Sequence, residues 1–140
     1  MTPFHLSFQV RDLAEARAFY GQVLGCAEAA SAPTWVDYDF FGHQLSLHLG
    51  GAAQDAGRGT VDGQAVPMPH FGVVLAMPEW HALAIRLRDA GVGFVLAPQV
   101  RYAGEPREQG TFFVRDPSGH ALEFKAMRDP AQLFAPAQHE

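Results

Sequence analysis

The chain has 140 residues, 48% hydrophobic and 18% charged, which suits one folded domain and excludes a disordered polymer. A formal net charge of -5 without a Lys/Arg cluster argues against nucleic acid as partner, and no apolar run approaches the roughly 18 residues of a membrane span. A lone cysteine, Cys26, excludes an internal disulfide; the N-terminal MTPFHLSFQV has no basic region leading into an apolar core, so a cytoplasmic location is expected.

In chain order, HLSFQV reads as a strand with Leu6, Phe8 and Val10 on one face and His5, Ser7 and Gln9 on the other. Asp12, with Glu15 three residues on, is the expected N-cap of a helix running through LAEARAFYGQVL to a stop at Gly25. Cys26 follows among small residues with no base beside it, which points to an unreactive thiol. The stretch TWVDYDFFGHQLSLHL then reads as a hairpin, its second arm placing Leu45, Leu47 and Leu49 opposite Gln44, Ser46 and His48. A Gly- and Ala-rich linker without an apolar period, residues 50–68, separates this first module (1–49) from a second (69–126).

The second module repeats the order. Its strand HFGVVL sets Phe71, Val73 and Leu75 against His70, Gly72 and Val74, and a helix is expected from Pro78 to Gly91. Phe19, Leu24, Leu83 and Leu87 recur at helical spacing and are expected in the core. The Pro-, Gly- and charge-rich VGFVLAPQVRYAGEPREQG reads as a long loop, a candidate lid carrying Arg101, Tyr102 and Glu105. A final hairpin, TFFVRDPSGHALEFKA, turns Leu122 and Phe124 one way and Glu123 and Lys125 the other, and a tail (127–140) closes the chain.

Laid on one another, TWVDYDFFGHQLSLHL and TFFVRDPSGHALEFKA share Thr, Asp, Gly, His and Leu, while PFHLSFQV and MPHFGVVL align His5 with His70. Each half is thus a βαβββ unit, and the fold class is α+β. The helices need an apolar sheet face to cover, so the polar faces lie opposite. A lone strand histidine is usually structural, but two at equivalent repeat positions are less expected of a merely solvated sheet. His43 and His120 fall in matching hairpin turns, where turn hydrogen bonds are their simplest role; His81 and His139 carry no functional expectation. Lys125, the single lysine, reads either as a surface lysine with a buried stem or as a substrate contact near the rim.

Paired βαβββ modules, a histidine on the first strand of each and the DPSGHALEF ending resemble the vicinal oxygen chelate superfamily, from His5 to about Lys125. That superfamily includes lactoylglutathione lyases, extradiol dioxygenases, fosfomycin-resistance thiol transferases and bleomycin-binding proteins. The resemblance implies an open, cup-shaped mixed sheet with helices outside and one divalent metal held by His5, His70 and Glu123. The family's fourth ligand position falls on Ser46, a poor ligand, so coordination positions stay open. Two histidines and a carboxylate suit Fe(II) first, with Mn(II), Zn(II) or Ni(II) also acceptable.

Within the superfamily this ligand set points to an extradiol-dioxygenase-like oxidoreductase acting on a small substrate with adjacent oxygens. The segment FFVRDPSGHALE fits that branch's signature from Phe112 to Glu123, with Phe113 where the signature has tyrosine and no histidine ahead of it in RYAGEPREQG. His48 and Tyr102 are the candidates to supply the missing catalytic groups. The alternatives are a glyoxalase-like isomerase, lyase or thiol transferase on the same metal, and a metal-free small-molecule (drug) binding protein. A homodimer is the expected assembly, its modules paired within one chain or across two.

Overall fold

The computed structural model describes residues 2–54, 57–61 and 63–136; His139 lies outside them. Two βαβββ modules follow one another, each an unclosed four-stranded mixed sheet. The first contains β1 (His5–Val10), β2 (Ala27–Ala32), β3 (Trp35–Phe40) and β4 (His43–Leu49), in the order β1-β4-β3-β2 with β1 parallel to β4. A small hairpin, β5 (Arg58–Val61) with β6 (Gln64–Pro67), comes next. The second contains β7 (Phe71–Leu75), β8 (Phe94–Arg101), β9 (Gln109–Arg115) and β10 (Ala121–Met127), in the order β7-β10-β9-β8 with β7 parallel to β10.

Helix α1 (Leu13–Arg17) begins where the sequence places it, with the Asp12 carboxylate accepting from the Glu15 amide at 2.9 Å. It then widens into a π-helical segment over Ala18–Val23, in which the amide of Leu24 donates to the carbonyl of Phe19. That wider turn lets the adjacent Phe19 and Tyr20 both reach the interior. Helix α2 (Met77–Asp89) has Pro78 in its first turn and buries Trp80, Leu83 and Leu87 along one stripe. Full burial of a leucine such as Leu87 contributes about 1.5–3 kcal/mol. The Trp80 indole also donates to the Phe124 carbonyl at 2.8 Å, tying helix to sheet.

The alternation read from the strands holds: Leu45 and Leu47, like Leu122 and Phe124, are buried, and only the terminal Leu49 is exposed. One apolar core joins both modules, with Phe40 of β3 packed on Phe71 and Phe124 at ring separations of 5.7 and 6.3 Å. The turn between β9 and β10 latches the modules together. Buried Asp116 accepts from the Tyr20 hydroxyl at 2.8 Å and, through its other oxygen, from the amides of Ser118 and His120. Ser118 Oγ accepts from the Arg11 amide, and His120 Nε2 donates to the Gln9 carbonyl at 2.6 Å. His120 is thus a turn residue with a seam to hold, and His43 accepts from the Phe4 amide through Nδ1.

Two expectations need correction. The segment read as a long loop contains the eight-residue β8, an outer strand where Pro98 is tolerated because the missing amide would face away from a partner. The linker without an apolar period forms the β5–β6 hairpin. No helix of the described residues is long and apolar enough to cross a membrane.

Candidate metal centre

His70 directly precedes β7, and Glu123 lies on the adjacent β10, opposite Gly72 in the parallel register. The imidazole Nε2 approaches Glu123 Oε1 at 3.2 Å, both side chains being mostly buried. Their outer atoms are already engaged. His70 Nδ1 lies 2.7 Å from the Pro67 carbonyl, which can only accept, so Nδ1 carries the proton and the neutral ring's lone pair sits on Nε2. Glu123 Oε2 accepts from the Thr111 hydroxyl at 2.6 Å, leaving Oε1 to face the histidine.

A neutral imidazole nitrogen and a carboxylate oxygen are both acceptors, so this approach calls for a proton or a cation between them. Donors bonded to a divalent ion at about 2.0–2.2 Å and roughly at right angles stand about 3 Å apart, which is the spacing present. The engaged outer atoms match the way metal-ligating histidines and carboxylates are usually oriented. The pair therefore fits a divalent cation.

Gly72 makes this approach possible. A Cβ at that position would stand 1.6 Å from the Glu123 carbonyl oxygen, so the backbone bearing the carboxylate tolerates no side chain opposite it. Phe113, buried on β9, presents its ring edge-on to His70 at a centroid separation of 4.8 Å. Where a tyrosine would offer a hydroxyl, this chain offers an apolar wall.

His5 stands elsewhere. It is exposed on β1, and its Nδ1 donates to Gln44 Oε1 at 2.9 Å, while the same Gln44 donates to Asp37 at 3.3 Å. Its Nε2 is thus the available ring nitrogen, as in His70. Yet among the described residues no group of three His, Cys, Asp or Glu side chains gathers as a metal cage. The structure brings together His70 and Glu123 and leaves His5 on the other module. Ser46 is buried, paired in register with Ser7 and Asp37.

The two candidate catalytic residues stand on other elements than the pair. His48 is exposed, with its ring 6.4 Å from Trp35, and pairs in register with Gln9, four residues along β1 from His5. At strand rise that is about 13 Å from His5. Tyr102 is at the turn after β8, at φ +54, with the Arg107 guanidinium 3.7 Å above its ring.

A cavity of about 90 Å³ opens beside Glu123, between the inner face of the second sheet and the β5–β6 hairpin. Its polar lining includes Gln64, Gln99, Arg101, Thr111, Glu123 and Lys125. Gln64 and Gln99 join the hairpin to β8, with Gln99 Nε2 donating to Gln64 Oε1 at 2.7 Å. Sequence reasoning did not anticipate that the linker roofs this cavity, nor that Thr111 holds the carboxylate. The Ser46/Glu123 asymmetry gave the position of the carboxylate but no sign of its partner.

Residues 2–124 match the family described as the glyoxalase/bleomycin resistance protein/dioxygenase superfamily. Among solved structures, a glyoxalase/bleomycin resistance protein/dioxygenase from Alicyclobacillus acidocaldarius is 34% identical, covering 95% of this chain and 96% of its own, with a TM-score of 0.73. A lactoylglutathione lyase from Agrobacterium tumefaciens (19% identity, 96% and 97% covered, TM-score 0.65) has the same fold. So does the fosfomycin resistance protein FosX from Listeria monocytogenes (18% identity, 90% and 93% covered, TM-score 0.67). No curated protein gives a significant match. With its two βαβββ modules and a match over residues 2–124, the chain belongs to the glyoxalase/bleomycin resistance protein/dioxygenase superfamily.

Proposed function

We propose that the protein is a mononuclear divalent-metal enzyme of the vicinal oxygen chelate type, acting on a small substrate with two adjacent oxygens. The observation that carries this reading is the 3.2 Å approach of His70 Nε2 to Glu123 Oε1, with the outer atom of each already engaged. His70 and Glu123 would hold the metal, joined by His5 of the partner subunit in a homodimer. In support, His5 of the same chain is held in the other module, its Nε2 unengaged and its side chain exposed.

A bound divalent ion would supply Lewis acidity, polarising the two substrate oxygens and lowering their pKa. The chain's own part is to fix the ligands. Pro67 and Gln44 set the histidine tautomers, Thr111 orients the carboxylate, and Phe113 screens one side of His70 from water. Because Ser46 offers no charged ligand, positions stay open for a chelating substrate, which favours Fe(II) and extradiol-dioxygenase-like oxidation. Phe113, in van der Waals reach of His70 and without a hydroxyl, favours a second reading: non-oxidative isomerase, lyase or thiol-transfer chemistry on the same centre. His48 and Tyr102 stay the candidates for proton transfer, which His48→Ala and Tyr102→Phe test by their effect on turnover.

The test is complementation. His5→Ala and Glu123→Ala are purified separately, then mixed under mild denaturant and refolded together. A site shared between subunits restores one intact centre in each mixed dimer, or about a quarter of the wild-type metal content after random pairing. No recovery from the mixture, with metal retained in His5→Ala alone, would refute the shared site. No metal in the wild type after reloading would refute the metal reading and leave a metal-free binding protein. Oxygen uptake with catechols then separates the oxidative reading from the non-oxidative one.

A further inference from the structure

Building on the metal reading, we propose that the substrate carries a carboxylate, and that Lys125 receives it inside the cavity roofed by the β5–β6 hairpin. Lys125 is two residues beyond Glu123 on β10, on the same face, and both line the cavity. Yet Glu123 turns its oxygens to His70 and Thr111, not to the lysine. Among the described residues Lys125 makes no ion pair, although it is partly buried and is the chain's single lysine. A substrate carboxylate would give this ammonium a charge-assisted partner inside the cavity.

The surroundings match a carboxylate. Gln99 and Gln109 add amide groups, and Leu96, Val61 and Val66 add apolar surface. At about 90 Å³ the cavity takes a group of a few heavy atoms such as a carboxylate, while the ring or chain that bears it stays outside, at the metal. Two residues of strand separate Glu123 from Lys125 by about 7 Å. A substrate chelating with two adjacent oxygens at the metal would thus bear its carboxylate some five bonds away.

The experiment uses two probes with the same chelating oxygens, catechol and 3,4-dihydroxybenzoate, titrated anaerobically into metal-loaded protein by calorimetry. The expected result is about tenfold tighter binding of the acid, the ratio one charge-assisted hydrogen bond supplies. Lys125→Met is expected to abolish that preference and leave catechol affinity unchanged, while Lys125→Arg restores most of it. Equal affinity for the two probes in the wild type, or a preference that survives in Lys125→Met, would overturn the proposal. Benzoate, which cannot chelate, is titrated into the metal-free protein as a separate arm, followed by NMR. Benzoate binding lost in Lys125→Met, in a protein that retains no metal on reloading, would sink the metal reading and sustain the anion site.

Discussion

Replacing Gly72 by alanine tests whether strand spacing sets the proposed metal centre. The added Cβ would sit 1.6 Å from the Glu123 carbonyl oxygen, where real Cβ atoms keep at least 3.0 Å, so β7 and β10 must part by about 1.4 Å or twist. The contact is with backbone, which cannot swing aside as a side chain would. Overpacking of this kind costs about 1–3 kcal/mol, or roughly 3–10 °C in Tm for a chain of this length. The larger consequence falls on the site, because the moving atoms carry the carboxylate that faces His70. Divalent-metal affinity is expected to fall about 10- to 100-fold, as when an orienting partner is lost. Thermal melts with and without metal, and a chelator competition, measure both effects. Val74→Ala, two residues along the same strand at an exposed position, is the control and should change Tm little. A Gly72→Ala protein with wild-type Tm and metal affinity would refute the argument.

Further outcomes follow from other contacts. Thr111→Val, which removes the hydroxyl 2.6 Å from Glu123 Oε2, should weaken metal binding about 10- to 100-fold with little change in metal-free Tm; an unchanged affinity in a chelator competition would show that the hydroxyl orients nothing. Tyr20→Phe removes a buried donor to Asp116 and should cost about 1.5–3 kcal/mol in urea unfolding, with both modules losing stability together. Burial, ahead of the charge of Asp39, pushes the Cys26 thiol up to about 11, so alkylation by iodoacetamide at pH 8 should be far slower in the folded than in the unfolded protein. Burial likewise lifts Tyr38 to about 12. Both groups hold their protons more tightly folded than unfolded, so their contribution is complete below 9.0 and 10.0 and is lost as pH rises through the folded values. Tm should therefore fall between about pH 9 and 12, less steeply in Cys26→Ala; a flat profile would contradict this.

Much of the fold was legible because its signals are local. The Asp12 cap, the alternating faces of β4 and β10 and the paired GHxL turns each follow from neighbouring residues, and the repeat makes each half confirm the other. What stayed hidden depends on distant partners. Pro98 makes β8 resemble a loop, because only knowledge that β8 is an outer strand excuses a missing amide. The β5–β6 hairpin has too few apolar side chains to show a period, and what it covers belongs to another module. Repeat symmetry showed that His5 and His70 are equivalent but not whether they meet, since equivalence holds equally for modules joined within a chain or between two. His48 shares a face with His5, as alternation requires, but a shared face says nothing of a span of four residues along the strand.

The roof over the cavity has a consequence for how this chain could acquire new preferences. The β5–β6 hairpin contributes Val61, Gln64 and Val66 to the lining, yet its recorded side-chain link to β8 is the Gln64–Gln99 pair. The Glu123 carboxylate, by contrast, is borne on β10 between its neighbours, where a single methyl group at Gly72 would be felt. Part of the cavity lining is therefore written in a different stretch of sequence from the strand that bears Glu123 and Lys125. The short hairpin can vary its share of that lining, while β10 stays under the constraint of the core.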